Sequence, residues 1–125
     1  MARSDVKAVT ITADTVALDA DGISVAAAVG NNAALTIGGA LASGGSVTLS
    51  HGRVVTILSA GDDSAKSFTV TGTDVNGDSQ TESITGANAG TATGAAYFLT
   101  ISGISAVGNP AGNVSAGVNG SAADV

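Results

Sequence analysis

Between Ser67 and Gly86 the chain reads SFTVTGTDVNGDSQTESITG, and no other stretch restricts the fold as strongly. Thr and Ser recur at nearly every second position on both sides of an Asn-Gly pair. Such alternation describes strands with one apolar and one polar face. Asn-Gly between two such runs is a hairpin signal. A two-residue turn at Asn76-Gly77 would set Phe68 against Thr85 and mix the faces. A three-residue loop, Val75-Asn76-Gly77, pairs Phe68 with Ile84 and Val70 with Glu82. It also sets Thr69, Thr71 and Thr73 against Ser83, Thr81 and Ser79. A slip of one residue turns every side chain over, so the three-residue loop is adopted. Gly77 then takes the left-handed position of a G1 bulge. Asn76 and Gly77 are structural turn residues in this reading, and the outer face is a ladder of hydroxyls.

The rest of the chain is also β by its periodicity. VKAVTIT puts Val9 and Ile11 on one face, and TVAL (Thr15 to Leu18) is a second short strand. DADG (Asp19 to Gly22) is a turn. ISVAAAV (Ile23 to Val29) and ALTI (Ala34 to Ile37) are strands around the break at Gly30 to Asn32. GGALASGG (Gly38 to Gly45) is a loop. SVTLS and RVVTILSA form a hairpin with His51-Gly52 as its two-residue turn. VVTIL (Val54 to Leu58) is apolar on both faces, which marks a central strand covered by two layers. One layer is the domain's own core; the other is a second sheet edge or a neighbouring subunit. Ala87 to Gly94 is a loop. AAYFLTISGISAV is a strong strand region with Phe98 and Ile101 inward, and a final strand falls near Val114 to Val118. About eight or nine short strands predict an all-β protein, an antiparallel β-sandwich or jelly-roll-like single domain. The divisions are an N-terminal arm (1–8), the β-domain (9–118) and a C-terminal tail (119–125).

Composition narrows the function. The 125 residues include two Phe, one Tyr and no Trp, so the core is built from Val, Ile, Leu and Ala. Charged residues are 11% of the chain, against ~25% in ordinary soluble domains. A skin so poor in charge predicts burial in an assembly, hence a homo-oligomer. The net charge is −6, and Arg3, Lys7, Arg53 and Lys66 are the only basic residues. That is no nucleic-acid footprint. Without cysteine there is no disulfide, thiolate metal site or cysteine nucleophile. The absence of cysteine fits synthesis in the cytoplasm, and MARSDVKAVTITAD lacks the apolar stretch of a secretory signal. The longest apolar run, ISVAAAV, is too short to span a membrane.

No catalytic constellation emerges. His51 is the only histidine, and Ser50 beside it on a strand would point to the opposite face. DVNGDSQTE begins like an EF-hand, but Gly77 precedes Asp78 and the twelfth position is Thr85. A looser Ca²⁺ site from Asp74, Asn76 and Asp78 stays open beside their reading as turn residues. Asp63 and Lys66 read as a solvated local pair. GGALASGG lacks the Lys-Ser/Thr and helix of a phosphate cradle. No cofactor or metal is assigned.

The block Arg53 to Ser105 resembles small virion proteins of tailed bacteriophages. The resembling segments are RVVTI, SAGDDS, FTVTGTDVNG, TESITGANAGT and an aromatic followed by ISGI. The resemblance implies a capsid decoration, or cement, protein on the outside of the head. It implies major capsid protein as partner, a trimer as oligomer, no enzymatic activity and no catalytic residues. The alternative is a tail or fibre component, one that touches the host surface in one version. On the decoration reading the interface candidates are Arg3, Asp5 and Lys7 of the arm, with Val55 and Ile57 of the doubly apolar strand.

Overall fold

The computed structural model describes residues 19–119. The arm with Arg3, Asp5 and Lys7, the strands expected at Val9–Ile11 and Thr15–Leu18, and all but the first residue of the tail lie outside the described residues. Within them the regular structure is all β: β1 (Asp19–Ala28), β2 (Ala42–Ser43), β3 (Ser46–Ser59), β4 (Ser67–Thr73), β5 (Ser79–Thr85), β6 (Thr91–Val107) and β7 (Asn113–Val118). All join antiparallel in one open sheet, ordered β1-β7-β3-β6-β4-β5, with β2 beside β3.

The long strand β6 belongs to both halves of this sheet. Thr91 to Ile101 pair with β3, and Thr100 to Val107 pair with β4. Where β3 leaves β6, the segment at Asn32 to Leu35 takes its place. The Leu35 amide donates to the Ile104 carbonyl at 2.8 Å, and the Ala106 amide to the Ala33 carbonyl at 2.8 Å. Both halves bury side chains in one cluster, with Ile23, Val55, Ile57, Val114 and Val118 from one and Phe68, Val70, Ile84, Ile104 and Ala106 from the other. One bent sheet thereby encloses a single core. Phe98 and Ile101 point inward as expected, both 0% exposed.

Bending a sheet needs bulges, and the glycine-bearing segments supply them. The expected turn at His51-Gly52 is not one: β3 continues through it without reversing. Its ladder to β6 moves from Thr48 opposite Thr100 to Arg53 opposite Phe98, so Leu49 to Gly52 share the space across from Leu99. A hairpin here would leave Val54 to Leu58 in a short returning strand. Continuing through the bend buries every residue from Gly52 to Ile57. DADG is likewise strand, not turn. Asp19 pairs with Val118 and Ser24 with Ala116, so Ala20 to Ile23 bulge opposite Gly117. The tight two-residue turn is instead Gly44-Gly45, within the expected loop, with φ of 65° and 86° and Ser43 opposite Ser46. Two positive φ values in a row strongly favour glycine. ALTI contributes only an isolated bridge from Ala34 to Ser105, with the Leu35 amide as its backbone donor to β6. Thr91 to Gly94, expected as loop, begin β6.

The hairpin β4–β5 has the expected register, with Phe68 opposite Ile84 and Thr73 opposite Ser79. Gly77 has φ 86°, and its amide donates to the Asp74 carbonyl at 3.0 Å. The Asp74 carboxylate accepts from the Asn76 amide at 2.8 Å and the Asp78 amide at 3.0 Å, closing the loop locally. A β-branched residue fits this φ badly, so Gly77→Val should cost about 1 kcal/mol or more. Urea unfolding checks it; an unchanged midpoint would refute the strain.

Candidate functional site

The hydroxyl ladder becomes one wall of a groove. Thr71, Thr73, Ser79 and Thr81 of the hairpin meet Thr100 and Ser102 of β6 around an open hollow of about 360 Å³. It exists because β6 carries an extra residue here. Thr71 faces Gly103 but Gly72 faces Ile101, which pushes Ser102 out of register. Gly72 allows the approach, for a Cβ there would fall on the Thr100 carbonyl. Part of the hydrogen-bonding capacity is used internally. The Thr73 and Thr100 hydroxyls are 2.6 Å apart, and the Ser102 hydroxyl donates to the Thr71 carbonyl at 3.2 Å. The lining holds no acid, base or imidazole. Hydroxyls without a neighbouring base form a hydrogen-bonding surface, not a nucleophile.

Beside the groove, side chains of β5 stand in for a missing strand. The Gln80 side-chain amide donates to the Tyr97 carbonyl at 2.6 Å. The Glu82 carboxylate accepts the Ala95 amide at 2.6 Å and the Ala96 amide at 3.2 Å. Those amides lie in a second irregularity, where Gly94 to Ala96 of β6 face only Val55 of β3. A Cβ at Gly94 would lie 2.6 Å from the other Glu82 oxygen, which is buried without a hydrogen-bond partner. Periodicity put Glu82 opposite Val70, and that pairing is observed. The link to β6 was invisible in sequence because it depends on where β6 bends.

Among the described residues, those singled out in the sequence are not brought together. Val55 and Ile57 are fully buried in the core cluster. This corrects the expectation of an interface there, since their apolar area is satisfied within the chain. Val54 and Thr56 are also buried, at 8% and 5% exposure, so at these positions the opposite face is covered without a second subunit, while Leu58 at the end of the run is exposed. His51 lies on the β3 bulge, partly buried. Asn76 and Gly77 cap the hairpin, and the Asp74 carboxylate between Asn76 and Asp78 is engaged by two backbone amides of that loop. Among the described residues no group of three or more His, Cys, Asp or Glu could hold a metal ion.

Asp63 is not a solvated partner of Lys66. It is 0% exposed; one carboxylate oxygen accepts the Ala111 amide at 2.7 Å and the other has no hydrogen-bond partner. Lys66 meets it through backbone, its amide donating to the Asp63 carbonyl at 2.9 Å. The exposed neighbour Asp62 has the local partners. The Ser64 hydroxyl at 2.6 Å and amide at 3.1 Å hold its carboxyl below the usual range, with a smaller contribution from the Lys66 charge.

A second hollow, of about 250 Å³, opens between β1 and the stretch around Thr36 and Gly38 and is lined by Val25, Ala26, Ala27, Thr36 and Gly38. Val25 there is 55% exposed. No helix of the described residues is long and apolar enough to cross a membrane. Comparison of the chain with protein-family models, curated proteins and solved structures finds no match.

Proposed function

We propose that the chain is a structural component of a tailed-phage virion, a cement protein on the outer face of the head. In this reading it acts as a homotrimer, bridges neighbouring major capsid proteins and carries no catalysis. The supporting observation is the character of the exterior. Hydroxyl-bearing strands and small apolar side chains cover it. Val25, Leu58, Val75, Tyr97 and Val107 are exposed. The basic residues among those described are Arg53, which is buried, and Lys66. Such a surface, poor in basic groups, suits broad contact through hydroxyls and small apolar side chains better than recognition of an anionic ligand. The block that resembles virion proteins runs from β3 through β6, so it supplies the hairpin, the groove and both phenylalanines.

The mechanism is mechanical. Area buried between adjacent capsid subunits must be exposed again before the shell can separate, which opposes the pressure of packaged DNA. The test is to add the purified protein to expanded heads that lack it, then measure bound copies and the temperature of DNA release. Repeated binding over the shell and a higher release temperature are expected. Failure to bind heads would sink the proposal, and binding to tails instead would support the tail or fibre alternative.

A further inference from the structure

The hairpin tip carries a chemical liability independent of any capsid role. Asn76 is exposed, and Gly77, which follows it, has no atom within 4 Å of where a Cβ would stand. An asparagine side-chain amide is a modest electrophile, and the next backbone nitrogen is placed to close a five-membered ring on it. Side chains on the following residue normally hinder that closure. Glycine has none, and this tip has no packed neighbour at Gly77 to replace the missing bulk.

We propose that Asn76 is a site of slow, spontaneous deamidation in the folded protein, at a rate set by opening of the β4–β5 loop. The Gly77 nitrogen attacks the side-chain Cγ of Asn76, forming the N–Cγ bond. The Cγ–Nδ2 bond breaks and ammonia leaves with the proton lost from the Gly77 amide. Water then hydrolyses the cyclic imide at either carbonyl, giving aspartate or isoaspartate. No oxidant or reductant is required.

The hairpin controls the first step through two contacts. The Gly77 amide is engaged with the Asp74 carbonyl at 3.0 Å, so it must be released before it can react. The Asp74 carboxylate holds the Asn76 amide at 2.8 Å and the Asp78 amide at 3.0 Å, keeping the loop shut. Both products alter the tip. Aspartate adds a charge between Asp74 and Asp78. Isoaspartate also adds a backbone atom, which the three-residue loop between Asp74 and Asp78, closed by the Asp74 amide donating to the Asp78 carbonyl at 2.9 Å, was not built to hold.

The test is to age the full chain at mildly alkaline pH and follow the peptide containing Asn76 by mass spectrometry, separate from Asn119-Gly120. Ammonia loss with gain of water raises the mass by about one dalton, and isoaspartate resolves chromatographically from aspartate. Product should accumulate in the folded chain, roughly an order of magnitude more slowly than in urea. Asp74→Ala, which removes the carboxylate contacts, should speed it several-fold, and Asn76→Gln should abolish it. Circular dichroism confirms that each variant is folded. No product at Asn76 in the folded chain, or equal rates in folded and urea-unfolded protein, would overturn the proposal. An unchanged rate in folded Asp74→Ala would overturn the control by loop opening.

Discussion

Phe98→Ala is expected to remove about 3–5 kcal/mol of unfolding free energy, the usual cost of truncating a buried phenylalanine. The whole stability of such a domain is about 5–15 kcal/mol, so the variant should stand near the edge of folding. The effect is large because the core has few substitutes: Phe68 and Phe98 are the only phenylalanines, there is no tryptophan, and both rings are 0% exposed. Apart from Phe68 the core around it is aliphatic and cannot grow into the vacated space, and cavity cost rises with the volume left unfilled. Phe98 also sits where β3 and β6 resume register after the β3 bulge, opposite Arg53. Its neighbour Tyr97 points the other way and is 43% exposed. Tyr97→Ala should therefore cost less than about 1 kcal/mol. Urea titration of both variants, with m held equal, separates the two. Comparable losses would mean that the inward and outward faces of β6 are assigned wrongly.

Gly72→Ala should be nearly as damaging, at about 3 kcal/mol or more, beyond the usual range for one added methyl. Its Cβ would fall on the Thr100 carbonyl, with the Thr100 carbonyl carbon and Ile101 Cα close behind. These are backbone atoms of a paired strand, so no rotamer change can relieve the overlap. β6 would have to lift away from β4, breaking ladder bonds and widening the hydroxyl groove. Gly103 is the control, since nothing lies within 4 Å of its Cβ position and its φ is ordinary. Gly103→Ala should be neutral, or stabilising by up to about 1 kcal/mol through reduced freedom of the unfolded chain. Thermal or urea unfolding decides the pair. A tolerated Gly72→Ala would show that β4 and β6 do not approach as described.

The hairpin was legible because its information is local. Alternation, the Asn-Gly pair and the mismatch produced by a one-residue slip all lie within twenty consecutive positions. The last strand and the inward direction of Phe98 and Ile101 were legible for the same reason. Glycine and aspartate misled at His51-Gly52 and at DADG, because a bulge in a bending strand asks for the same residues as a turn. Whether the chain reverses or continues depends on the neighbour across the ladder, and at both sites that neighbour lies far along the sequence. Asp63 and Glu82 show the same limit for polar groups: a carboxylate reads as solvated until the backbone amides that it meets are known.

Local sequence was enough to show that the regular structure of the described residues is all β, that the core is aliphatic with two aromatic anchors, and that the Ser67 to Gly86 hairpin closes on a left-handed glycine. Each follows from periodicity, composition or the φ requirement of one residue. The strand order, the sharing of β6 between two halves, the burial of Val55 and Ile57, and the hydroxyl groove at the bend emerge only at the level of the whole fold. Those features arise from pairings between residues tens of positions apart. Their energies depend on which backbones come within hydrogen-bonding distance, and local sequence carries no record of that.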